Sequence, residues 1–265
     1  MPLPPDATAL LLSGPRLALL VFAALMLLCM PPAWLRAGRD SRRLRGVGVW
    51  VKPLKFMAAV ALFSFTTALL MLAVPDPVAA AAPLRHLSVL LIATATFEVS
   101  YITVQASRAE ESHYNIRDPF HLAMNVLMAV GAVGMTASQA WLALVIVGQD
   151  RHWMASVTTL AVVTGLMLTW LLATASGFML GGKRAPAGMG MPLMGWHRRA
   201  DLRPAHFLGV HVQQCVPLFG LLAASLPAGG MALFVTLTLA YLLAWLLAIW
   251  AELKAGPLAA SRAAS

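Results

Sequence analysis

The stretch "MALFVTLTLAYLLAWLLAIWA" (Met231–Ala251) runs for 21 residues without a charged side chain. A helix crosses the hydrocarbon core of a bilayer in about 20 apolar residues, so this segment reads as one membrane span. Six more runs of the same character can be marked: Leu10–Met30, Phe56–Val74, Leu84–Gln105, Phe120–Val147, Met154–Leu180 and Ala205–Leu226. The chain of 265 residues is 60% hydrophobic and 11% charged, with a mean hydropathy of +0.79. Soluble domains carry roughly a quarter charged residues. The expected fold is therefore all-α, a polytopic transmembrane bundle of seven helices forming a single integral membrane domain over residues 1–265.

Proline, glycine and charge punctuate the runs, as in "PDPVAAAAP" (Pro75–Pro83), "GQDRHW" (Gly148–Trp153) and "PAGG" (Pro227–Gly230). The first span has no basic flank and no small-residue cleavage site, so it is expected to be retained. The net charge of +9 falls in short loops between apolar runs. That placement fits topology signals and anionic lipid, not a nucleic-acid footprint. With the first loop in the cytoplasm, that side collects 16 of the 19 Lys and Arg, leaving Arg16, Arg85 and Arg151 opposite. The bias predicts a bacterial inner-membrane protein with its N-terminus outside and its C-terminus in the cytoplasm.

The polar residues inside the spans carry the functional expectation. "RPAHFLGVHVQQCVP" (Arg203–Pro217) packs Arg203, His206, His211, Gln213 and Gln214 into less than half of a helix circumference. In the third span Glu98, Tyr101, Gln105, Arg108 and Ser112 recur at i, i+3, i+7, i+10 and i+14, all within about 80° of one face. Glu98 lies about 15 Å of helix rise deeper than Arg108. A charge at that depth costs at least a few kcal/mol unless paired, protonated or hydrated, so it must turn inward. The fourth span opens with His121 and Asn125 one turn apart, and "KPLKF" places Lys52 and Lys55 at the mouth of the second. These groups predict a shared polar cavity between spans two, three, four and six, open to the cytoplasm.

Bland roles compete with this reading. Lys52, Arg108 and Arg203 could snorkel to phosphate headgroups. Gln105, Asn125, Gln213 and Gln214 could be hydrogen bonds between helices, His113 could be solvated, and His121 could help to cap its helix. Glu98 has the weakest such alternative.

"KPLKF", "FEVSYITVQASRAEESHYN" and "LRPAHFLGVHVQQ" together resemble an uncharacterised family of bacterial inner-membrane proteins with about seven helices. The resemblance covers most of the second to sixth spans and implies no activity.

Several chemistries are excluded by spacing. The seven histidines form no HxxxH or HxxHH box, and Glu110 to His113 is a lone Glu-x-x-His where a di-metal site needs two. HExxH, G-x-S-x-G, P-loop and G-x-G-x-x-G signatures are missing. A haem b or metal ion could be held by His121 with His206 or His211. The leading expectation is an intramembrane enzyme or redox protein acting on a lipid-like or small anionic substrate. Glu98, His206 and His211 would then be catalytic, with Lys55, Gln105, Arg108, Asn125, Arg203, Gln213 and Gln214 in substrate contact. A proton-coupled transporter using Glu98, or a non-catalytic scaffold, are the alternatives.

Overall fold

The structure, a computed structural model, describes residues 14–181, 186–188, 190–191, 195–197 and 201–262, with side chains as far as Lys254. Lys183, Arg184, Arg198 and Arg199 of the basic loop, and Leu10 at the start of the first expected span, lie outside the described residues. The helices are α1 (Gly14–Leu28), α2 (Met30–Arg39), α3 (Val51–Leu70), α4 (Ala81–Arg108), α5 (Pro119–Gln149), α6 (Val157–Gly181), α7 (Arg203–Ala224) and α8 (Gly230–Arg262). Short 3₁₀ turns occupy Met71–Ala73 and Trp153–Ala155. The protein is an all-α multi-pass bundle. Seven helices are long and apolar enough to span a membrane, α1 and α2 together forming the first.

Helix ends follow backbone hydrogen bonding and not the limit of apolar sequence, so α4 and α5 run wider than expected at both ends, while α6 starts late, at Val157, and α7 is shifted to Arg203–Ala224. At Pro31 and Pro32 the missing amides break the ladder, and α2 restarts after Cys29. α3 begins at Val51, five residues before the expected start, and takes in Lys52 and Lys55. α4 continues to Arg108 and closes on Ala109 in the left-handed region (φ 56°). Ala109 N–H donates to Ala106 O and Glu110 N–H to Gln105 O at 2.9 Å, a Schellman closure made without the usual glycine. α5 starts with Pro119 behind Asp118, whose carboxylate accepts the His121 N–H at 2.9 Å.

Between α2 and α3 the chain forms a small antiparallel hairpin, β1 (Arg43–Leu44) and β2 (Val47–Gly48). Its turn, Arg45–Gly46, has positive φ at both residues (51° and 80°), the geometry of a two-residue type I′ turn.

The chain divides into two compact units, residues 1–151 and 152–265. In the first, α1 packs on α3 and α4, α3 on α4, and α4 on α5. Phe22, Trp50, Met57, Val60, Ala95 and Val99 lie in its core. In the second, α6 and α7 lie backbone to backbone, because Gly209 has no side chain. A Cβ there would sit 2.8 Å from the Leu172 carbonyl carbon and 2.9 Å from the Ala173 nitrogen. Pro217 lies within an unbroken α7 and sets its ring against Gly165. α8 joins through the Tyr241 hydroxyl, which donates to Leu208 O at 2.8 Å. Leu239, Leu243, Leu246 and Leu247 of α8 remain exposed, as suits a lipid-facing helix.

Candidate functional site

In the first unit the α4 stripe turns inward as its spacing requires. Glu98, Tyr101 and Gln105 are 1%, 7% and 0% exposed, whereas Ser112, expected further along the same face, lies beyond the helix end at Arg108 and is buried from the loop. Glu98 lies over Gly131 of α5, where even a methyl group would reach its Oε1 at 3.4 Å. That oxygen has no hydrogen-bond partner among the described residues. Lys52 is the basic group whose charge acts on Glu98. Two turns further along, the Gln105 amide nitrogen donates to the Tyr101 hydroxyl at 3.1 Å and to Glu111 O at 3.3 Å. Its Oε1 is likewise without a partner among the described residues.

The loop after α4 folds back over this stripe because Ala109 reverses the chain. Lys52 donates to Ser112 Oγ at 2.7 Å and lies 2.9 Å from His113 Nδ1, while Ser112 and His113 are 3.2 Å apart. Phe56 flanks the group, 5.7 Å below the ammonium. His113, for which solvation was the bland reading, is thus half-buried beside a lysine. Asn125 accepts the Tyr114 N–H at 3.0 Å and Asn115 donates to Glu111 O at 3.2 Å, so both hold the loop in place.

The other predicted residues of this unit lie elsewhere. Lys55 and Arg108 are exposed, and Lys52, not Lys55, enters the cluster. His121 is buried at the start of α5 with both ring nitrogens engaged. Nδ1 is 2.8 Å from Asp118 and Nε2 is 3.4 Å from Glu110 and 3.2 Å from Arg117. A haem or metal at His121 would have to displace these contacts. The His121 N–H is the first cause holding the Asp118 carboxyl down at about 2. Burial pushes Glu110 up, but hydrogen bonding and charge from Arg117 and His121 outweigh it and leave that carboxyl below its ordinary range. Among the described residues no group of three or more His, Cys, Asp or Glu side chains is arranged to hold a metal ion.

In the second unit, Asp201 organises the entry to α7. It is fully buried, receives Arg203 Nε at 2.8 Å and Nη2 at 2.6 Å, and accepts the His197 N–H at 2.7 Å. Burial pushes its carboxyl up, but these donors prevail and hold it below the ordinary carboxylate range. Arg203, expected to bind substrate, is thereby paired within its own loop. His206 lies over Gly177, 3.2 Å from Ser176 Oγ, and His211 is 3.3 Å from the Gln214 carbonyl. Gln213 is 0% exposed, and neither end of its amide has a partner among the described residues.

Sequence reading gave the inward face of α4 but missed Asp40, Asp201 and the Lys52–Ser112–His113 contact. All three involve residues outside the spans, which hydropathy does not report.

Fold and interior together define a class: a multi-pass α-helical membrane protein with a buried carboxylate and a lysine-centred polar cluster in its first unit. No protein-family model, curated protein or solved structure matches the chain.

Proposed function

We propose that this protein is an intramembrane enzyme of the bacterial inner membrane, acting on a lipid-like or small anionic substrate. Glu98 is its proton-exchanging group. The observation that carries this reading is the Glu98 carboxylate, 1% exposed with an unpartnered Oε1. Burying a charged oxygen without a donor is costly, and a group kept in that state changes its protonation or meets a polar ligand. Lys52 supplies the positive charge for an anion, its ammonium fixed by Ser112 at 2.7 Å and by His113 at 2.9 Å. Gln105, with a carbonyl to spare, orients substrate. In the second unit Gln213 has the corresponding unanswered amide, with His206 and His211 on the same helix able to exchange protons. The Lys/Arg-rich end faces the cytoplasm, which puts the N-terminus outside and the C-terminus inside.

Infrared difference spectroscopy through a pH titration tests the reading without a known substrate. A carboxylic-acid band should appear and vanish with pH and be lost in Glu98→Gln, which folds with an equal or higher Tm because an unpaired buried charge is relieved. The variant should also lose any growth phenotype or turnover the wild type supports. A titration without a Glu98-dependent band, or a fully active Glu98→Gln, overturns the assignment. Substrate-driven proton movement into proteoliposomes, without chemical conversion, would make the same site that of a transporter. A reporter fused after Lys254 should read cytoplasmic and one within Pro75–Pro83 external; the opposite pair of readings reverses the orientation.

A further inference from the structure

A second polar feature of the first unit has no part in the Glu98 site. Where α2 ends and α4 approaches its own end, a surface cavity of about 490 Å³ is lined by Arg36, Arg39, Asp40, Arg42, Trp50 and Ser107, among others. That volume lies within the range of small-ligand sites, roughly 300–1,000 Å³. Arg36 and Arg39 are three residues apart on the last turn of α2, so both point to one side of the helix. Arg42 is already occupied: it grips Asp40 through Nε at 2.9 Å and Nη2 at 2.7 Å, and reaches Ser107 O at 3.1 Å. The Trp50 indole N–H also donates to Asp40, at 2.8 Å. These two donors hold the Asp40 carboxyl far below the ordinary carboxylate range, so it stays ionised and neutralises one of the three arginines.

Three positive charges less one leave the cavity two positive. Neither Arg36 nor Arg39 has a carboxylate within ion-pair distance among the described residues. Arg36 is instead held 6.0 Å from the buried Trp50 ring. The cavity lies at the level where the first and third apolar spans end, at Arg39 and Arg108. That is the headgroup layer of a bilayer. Two guanidinium groups lining one cavity, one of them (Arg36) set against a fixed tryptophan, suit a phosphate, whose oxygens take paired N–H donors.

The geometry points to a phosphate-binding site formed by Arg36 and Arg39 on the wall of Trp50, taking the phosphodiester of an anionic lipid headgroup or a small soluble phosphate. Asp40 sets the strength of this site by holding Arg42 away and by cancelling one charge.

The test uses the full chain in nanodiscs of phosphatidylcholine containing a minor fraction of phosphatidylglycerol, with retained lipid read by native mass spectrometry. Wild type should keep phosphatidylglycerol in preference to phosphatidylcholine. Arg36→Gln and Arg39→Gln should each weaken that preference by about fivefold, the effect of one basic charge near a membrane surface. Arg43→Gln removes an exposed arginine of the same loop that does not line the cavity, and should leave the preference within twofold, roughly the scatter of exposed charges. Asp40→Asn keeps the shape but removes the negative charge, so retention should rise, a gain that loss of structure would not produce. Displacement of the lipid by millimolar glycerol phosphate, or binding of glycerol phosphate in pure phosphatidylcholine discs, assigns the site to a soluble phosphate. Equal losses in Arg36→Gln, Arg39→Gln and Arg43→Gln would show diffuse surface attraction and overturn the proposal, as would no loss in any of them.

Discussion

The two units draw on the same apolar alphabet but fill their interiors differently. In the first, α4 carries a carboxylate, a phenol and an amide inward, and a reversing loop returns Ser112 and His113 to meet Lys52. In the second, α6 and α7 approach until backbones touch at Gly209, and Gly220 lies directly against Ala161. Without a hydrophobic drive between helices in lipid, close packing of small residues is one way to hold spans together and polar contact is another. The first unit sets a carboxylate, a phenol and an amide on one helix face; the second adds close backbone contact to buried polar groups that include Thr169, Ser176, Asp201 and Gln213. A unit joined by close contact has little room for error. A unit with unpartnered polar atoms keeps a place for something that exchanges protons or binds.

The comparison is broken most forcefully at Gly209. Gly209→Leu must push α7 off the backbone of Leu172 and Ala173, and overpacking of this kind costs about 1–3 kcal/mol or more. A lower Tm in detergent should come with loss of protection from proteolysis in α6 and α7. An unchanged Tm would mean that the two helices are not held at this distance.

A smaller effect belongs to acid. Asp201 is held below its ordinary range by Arg203 and the His197 N–H, so its contribution is complete above the unfolded carboxylate value of about 3.9. It is lost as pH falls through the lower folded value. Wild type should therefore lose Tm below about pH 4, and Asp201→Asn should start lower at neutral pH and show a flatter acid limb. Parallel curves would remove Asp201 from the account of how α7 begins.

The least effect is expected at Gly148 near the end of α5, where an added Cβ meets nothing within 4 Å. Gly148→Ala should leave Tm unchanged or raise it, with a gain of up to about 1 kcal/mol from reduced chain entropy. Set beside Gly209→Leu, it separates a glycine needed for approach from one that is merely present.

Much of the fold was legible because membrane spans are written in length and hydropathy alone. Any run of about 20 apolar residues must satisfy its backbone internally, and only a helix does so within one segment. The inward face of α4 was equally legible, since Glu98 could not face lipid and the 3.6-residue period carried Tyr101 and Gln105 with it. Lys55 and Arg108 were misleading for one reason: side chains near a span end can turn outward to the surface, and their angle on a helix wheel does not forbid it.

By itself, then, the sequence determined seven spans, the inward face of α4 and the uneven sharing of Lys and Arg between the two ends. Only the tertiary structure decided which polar groups meet. The left-handed turn at Ala109 brought His113 to Lys52, the hairpin turn at Arg45–Gly46 set Arg42 and Trp50 on Asp40, and Asp201 claimed Arg203. In the first two pairings a residue in the left-handed region redirects the chain after it, and in the third a carboxylate meets a guanidinium two residues on; hydropathy reports none of these.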